Sequence, residues 1–150
     1  MMPSVQSVGS LVPNAVEASL GSALGIALVR CGDALGDSEQ SLYATLDFNV
    51  QGVSFRLLMA ATRSLAGQLF VRIVGTDVSP DSPELLQEAV SEALNLIGGY
   101  LAGLCGSVGL AVTLGTPRSV MDWVSDGGCT AVWLAGNSLL RVSMESMDGR

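Results

Sequence analysis

Hydrophobic and polar positions change rhythm several times along this chain. In SLVPNAVEASLGSAL (10–24), Val12, Val16, Leu20 and Leu24 recur every four residues, which predicts one buried helix face. Ser10 stands where an N-cap belongs and Pro13 falls in the early turns. The apolar run GIALVRCG (25–32) predicts a strand, and DALGDSEQ (33–40) a polar loop. From Leu42 the period drops to two. Leu42, Ala44, Leu46 and Phe48 point one way, and Tyr43, Thr45, Asp47 and Asn49 the other. Gln51-Gly52 and the strand-like VSFRLLMAA follow, which makes a hairpin.

TRSLAGQLFVRIVG (62–75) predicts a helix ended by Gly75, although its β-branched residues weaken the propensity. TDVSPDSP (76–83) is a loop with two prolines. A long helix is expected from about 83 to 105, with Pro83 tolerated in its first turn and Glu84 near its positive end. VGLAVTLGTP (108–117) reads as a strand, and VMDWVSDGG (120–128) has no single rhythm. CTAVWLAG and SLLRVSMES form a second hairpin turning at Gly136-Asn137. This order predicts the α+β class: an antiparallel or mixed sheet with the long helix and further helices packed on one face. The 150 residues show no repeat or linker, so one domain spanning 1–150 is expected, with its ordered core over about 10–146.

The long helix carries two stripes. Leu86, Val90, Ala93, Leu94, Ile97, Leu101 and Leu104 form its core side. Glu88, Glu92, Asn95 and Gly99 form a second line, because Asn95 and Ile97 differ by about 200° around the axis. Gly98 and Gly99 sit mid-helix, where each costs about 1 kcal/mol relative to alanine. Two readings stay open: close packing against a neighbouring helix or strand, or the approach of a partner's backbone. An outward Glu and Asn are most often simply solvated. If they are functional, their chemistry is narrow. A carboxamide both donates and accepts hydrogen bonds, so it can hold a water in line with an electrophile that is already reactive. A carboxylate one turn away can grip a cation.

Composition narrows the choice further. The net charge is −7, with seven arginines and no lysine or histidine. Repulsion disfavours nucleic acid and anionic membranes as partners. The missing histidine and lysine remove the usual general base, the Ser-His-Asp arrangement and Schiff-base chemistry. Cys31, Cys105 and Cys129 form no CxxC and read as reduced packing thiols of a cytosolic protein. Trp123 and Trp133 read as core or interface packing, and Asp122 with Asp126 make a weak cation site. No signal peptide or membrane-length apolar run is visible, so the cytoplasm is the expected location. The mean hydropathy of +0.48 fits either a well-filled core or an apolar surface covered in an oligomer.

The segment EALNLIGGYLAGLCGSVGLAVTLGTP (92–117) resembles the signature of the CheC/CheX/FliY family of chemotaxis phosphatases. Glu92 and Asn95 match that family's ExxN, Gly98 its following glycine, and Pro117 the proline after the next strand. LVPNAVEASL, TLDFNVQGVSFRLLMAA and TRSLAGQLFVRIVG resemble the opening helix, the hairpin and the short helix. Two departures exist: Glu88 stands where the family usually has aspartate or serine, and the Asn95–Pro117 stretch is about one residue short. CheC-type members carry two ExxN helices, whereas the first helix here offers Glu17 with Leu20 in place of the asparagine. The layout is therefore CheX-like. The resemblance implies a phosphatase acting on the aspartyl phosphate of a CheY-type response regulator. Asn95 would orient the attacking water, Glu92 would contact the partner's lysine, and Glu88, Gly98 and Gly99 would meet the partner. It implies no metal of this chain's own, a divalent metal (Mg) in the partner's site, and a homodimer joined through the sheet. The alternative is a non-catalytic response-regulator-binding or flagellar-switch adaptor of the same fold.

Overall fold

The computed structural model describes residues 3–31, 41–122 and 129–147. Helical structure begins earlier than the pattern predicts. Helix α1 (Val5–Gly9) starts at Ser4, whose side chain accepts from the Ser7 backbone N–H while Ser7 reciprocates. The cap was hidden because Ser-x-x-Ser lacks the usual glutamate. Helix α2 (Val12–Val16) runs directly into a π-helical segment, Glu17–Ala23. Gly25, at φ +75°, then ends the helical run, with Ile26 N–H reaching back to the Leu20 carbonyl. The strand expected over 25–32 is confined to β1 (Val29–Cys31), and the predicted loop 33–40 lies outside the described residues.

Strands β2 (Ser41–Val50) and β3 (Val53–Thr62) form the expected hairpin. Gln51 (φ 47°) and Gly52 (φ 90°) both adopt positive φ, the signature of a type I′ turn. Helix α3 (Arg63–Val74) ends at left-handed Gly75, as expected. Helix α4 (Pro83–Ser107) has 25 residues, about 37 Å of axis. Its N-cap is Ser82, whose hydroxyl accepts from Leu85 N–H at 3.3 Å.

Beyond α4 the apolar run does not become strand at once. Gly109 (φ 86°) reverses the chain and Leu110 N–H closes on the Cys105 carbonyl at 2.8 Å. Strand β4 is therefore only Val112–Leu114, and β5 (Arg118–Val120) was not expected at all. Strands β6 (Cys129–Ala135) and β7 (Ser138–Ser146) give the second hairpin.

The sheet order is β1-β6-β7-β3-β2-β4, with β5 also paired to β2, and every pairing is antiparallel. Ala44, Leu46, Phe48, Phe55, Leu57, Met59, Trp133, Leu140 and Val142 point to one face. They join Val16, Leu20, Leu69, Leu94, Ile97 and Leu101 from the helices in one core. The opposite face carries Asp47, Arg56, Arg141 and Glu145, with a 2.7 Å ion pair from Arg56 Nε to Asp47 Oδ1. Arg118 adds a 3.6 Å contact to Asp47 Oδ2. The Asp47 hydrogen bond is the main reason the Arg56 guanidinium holds its proton more tightly than usual. The class is α+β with the helices on one face, as the pattern predicts.

Candidate functional site

Helix α4 is held to the sheet by its leucine-rich side. Leu86, Val90, Ala93, Leu94, Ile97 and Leu101 are buried, and Leu104 packs on the core's margin. Two polar contacts fix the helix along the β2 edge. Gln87 Nε2 donates to the Tyr43 carbonyl at 2.6 Å, and the Ser91 and Ser119 hydroxyls lie 3.4 Å apart. Neither residue has a sequence signal, because each finds its partner only through the tertiary fold.

The opposite arc of α4 presents the predicted line. Glu88, Glu92 and Gly99 are exposed and Asn95 is half-buried. At a spacing of three, Glu92 and Asn95 are neighbours on the helix surface, with Cβ atoms about 5–6 Å apart. Among the described residues, no hydrogen bond or ion pair engages either side chain. The pair is therefore anchored through its helix and uncommitted at its polar ends.

Gly98 requires a correction. It is not part of the outward face: its phase turns it onto the sheet, where it is buried. A Cβ there would stand 2.5 Å from Leu46 Cδ2 and 3.4 Å from Leu114 Cδ2. Its lack of a side chain lets α4 lie close on β2 and β4. Gly99 differs, since a Cβ there meets nothing within 4 Å. Of the two packing alternatives left open, Gly98 takes the internal one and Gly99 stays on the surface.

Pro117, at the far end of the motif, lies half-buried in the turn between β4 and β5. Both strands pair with β2 and both contact α4, so the proline is carried to the edge that supports the helix. Gly115 makes that turn possible. Its N–H donates to the Asp47 carbonyl at 2.8 Å, and a Cβ would come within 2.7 Å of the same oxygen.

The first helical run does not duplicate the site. Leu20 is fully buried, and Glu17 Oε2 accepts from the indole Nε1–H of buried Trp133 at 3.0 Å. Trp133 is thus core, as expected, whereas Trp123 and Asp126 lie outside the described residues. Cys105 is a buried free thiol, its pKa pushed up by burial, and Cys31 is a half-buried one. Among the described residues, no group of three or more His, Cys, Asp or Glu side chains is placed to hold a metal ion. No helix among them is long and apolar enough to cross a membrane.

No family profile matches the chain, and no curated protein matches it in sequence. Solved structures do match. The chemotaxis protein CheX from Vibrio vulnificus superposes with a TM-score of 0.74 at 12% identity, covering 96% of this chain and 100% of that one. CheX from Desulfovibrio desulfuricans gives a TM-score of 0.72 at 14% identity, over 93% of this chain and 98% of that one. A CheX-CheY-BeF3-Mg2+ complex from Borrelia burgdorferi gives a TM-score of 0.68 at 14% identity, over 93% and 97%. The superpositions extend over nearly the whole of each chain: this chain has the CheX fold.

Proposed function

We propose that this chain is a CheX-like member of the CheC/CheX/FliY family, a phosphatase that accelerates hydrolysis of an aspartyl phosphate on a CheY-type response regulator. The observation that carries the reading is the uncommitted Glu92–Asn95 pair on the outward arc of a helix anchored by its other side. The likeness to a CheX structure solved with CheY, BeF3 and Mg2+ supports the choice of partner, since beryllofluoride on a carboxylate stands in for a phosphoryl group.

In this mechanism the regulator supplies the phosphoaspartate, its divalent metal and a lysine. Glu92 accepts from the lysine and sets the register of the helix in the site. The Asn95 carboxamide oxygen accepts a hydrogen bond from one water and orients that water's oxygen in line with phosphorus. The water oxygen bonds to phosphorus as the acyl-phosphate P–O bond breaks, releasing the aspartate carboxylate and inorganic phosphate. Positioning is enough, because the acyl phosphate is already reactive. Glu88 and Gly99 border the same contact, Gly99 by adding no bulk. The partner is cytoplasmic, and so is this chain in the same reading. The sheet supplies the surface through which two copies associate.

The test is the decay of phosphorylated receiver domains from the same organism, with and without the protein. Acceleration by the natural chain and its loss in Asn95→Ala are the expected results. A receiver that binds but decays at its own rate selects the non-catalytic adaptor instead. If no receiver binds or decays faster, the reading fails.

A further inference from the structure

A second candidate site lies on the opposite strand edge of the sheet, away from α4. A groove of about 470 Å³ runs between α1–α2 and the strands β1 and β6. That volume is in the range of small-molecule sites. Its floor is apolar, formed by Val12, Ala131 and Val142, and its rim carries Gln6, Asn14 and Arg30. Both amides come from the α1–α2 wall and the guanidinium from the edge strand.

Arg30 is unusual among the arginines. Its guanidinium carbon lies 5.3 Å from the ring centroid of Trp133. Trp133 is fully buried, and its Nε1–H is held by Glu17 Oε2 at 3.0 Å. The ring is therefore fixed at its edge and by its packing, and it in turn orients the guanidinium stacked on it. Arg56 and Arg118 are paired with Asp47, whereas among the described residues no carboxylate lies within ion-pair distance of Arg30. Among the described residues its donors are uncommitted. The side-chain amides of Gln6 and Asn14 are also without hydrogen-bond partners among the described residues.

We propose that this groove binds a small organic carboxylate whose body carries amide or hydroxyl groups. The guanidinium fork matches a carboxylate in two parallel hydrogen bonds. Gln6 and Asn14 each offer both a donor and an acceptor to the rest of the ligand. Arg30 is the one charged residue lining the groove among the described residues, so one negative charge on the ligand is matched, while the chain's net −7 disfavours several. None of these residues belongs to the α4 site, so the proposal is independent of the phosphatase reading.

The test is an NMR titration of the full chain with N-acetylglycine, its neutral amide N-acetylglycinamide, and inorganic phosphate. Expected are saturable shifts of the Arg30 Nε–H and of the Gln6 and Asn14 side-chain amides with N-acetylglycine. The neutral amide should bind on the order of tenfold or more weakly. Arg30→Gln, which keeps a planar polar head over the indole, should abolish the response while the dispersed amide spectrum shows the fold intact. Asn14→Ala should weaken it in a second background. Equal binding of the neutral amide, phosphate binding as tightly as N-acetylglycine, a response that survives in Arg30→Gln, or no saturation with any probe would each overturn the proposal.

Discussion

Adjacent glycines on α4 separate two physical roles that a sequence cannot tell apart. At Gly99 a methyl group meets open space, so Gly99→Ala should stabilise the fold by about 1 kcal/mol through helix propensity. At Gly98 the methyl presses on Leu46, itself fully buried, with Leu114 close behind. Overpacking of about 1–3 kcal/mol then offsets or exceeds the propensity gain. Urea denaturation should place Gly98→Ala below Gly99→Ala by about 1–3 kcal/mol. Equal stabilities would mean that α4 does not seat on Leu46 as described. The place of Asn95 on the outward arc of α4 was legible from spacing. Asn95→Ala should change stability by no more than about 0.5 kcal/mol while removing the acceleration of receiver dephosphorylation. A folded Asn95→Ala protein that remains fully active would remove the water-positioning role.

Elements were legible where their period was long and their caps ordinary. The β2–β3 hairpin, α3 and α4 follow directly from alternation, Gly75 and the leucine stripe. At the β2 edge the strand expected over 108–117 shrank to β4, and β5 was unforeseen. Strands β4 and β5 are three residues each, too short to show alternation, and exist because β2 offers them an edge. Their junction depends on Gly115, so Gly115→Ala should cost about 1–3 kcal/mol, since a backbone carbonyl cannot turn aside as a side chain can. At the start of α4, Glu84 has its carboxyl pKa lowered, first by a hydrogen bond from its own backbone N–H and then by the Ser82 hydroxyl, 3.0 Å away. A lowered carboxyl pKa contributes stability above its ordinary value of 4.5, and that contribution is lost as pH falls through the folded value. The melting temperatures of wild type and Glu84→Gln should therefore differ at neutral pH and converge in acid. A gap that widens in acid would contradict the helix-terminus geometry.

At the scale of the whole molecule, the composition left two explanations for the apolar chain. A large part of that content goes into the single core between sheet and helices. What it leaves outside, such as Val29, Val78, Val108 and Met121, is dispersed over several elements. The outer sheet face is mixed, with Arg56, Asp47 and Arg118 in contact and Glu145 opposite Arg56. An interface through this sheet would be held by charge as well as by apolar contact. Light scattering should then give twice the 15.4 kDa chain mass at low salt and a lower mean mass as salt rises. A monomer at every salt concentration would exclude the dimer.

The π-helical segment also has a consequence for engineering. A π turn accommodates one more residue than an α turn, and the helical run ends with this segment at Leu24. Leu20 lies within that stretch, four residues after buried Val16, and points into the core with no exposure. Writing an asparagine at position 20 would spell a second ExxN beside Glu17, yet the carboxamide would enter the core without partners. Leu20→Asn should cost about 2–5 kcal/mol and leave the rate of receiver dephosphorylation per folded molecule unchanged. Asparagine at position 20 therefore yields no outward, uncommitted pair: Glu17 is committed to Trp133 and position 20 faces the core.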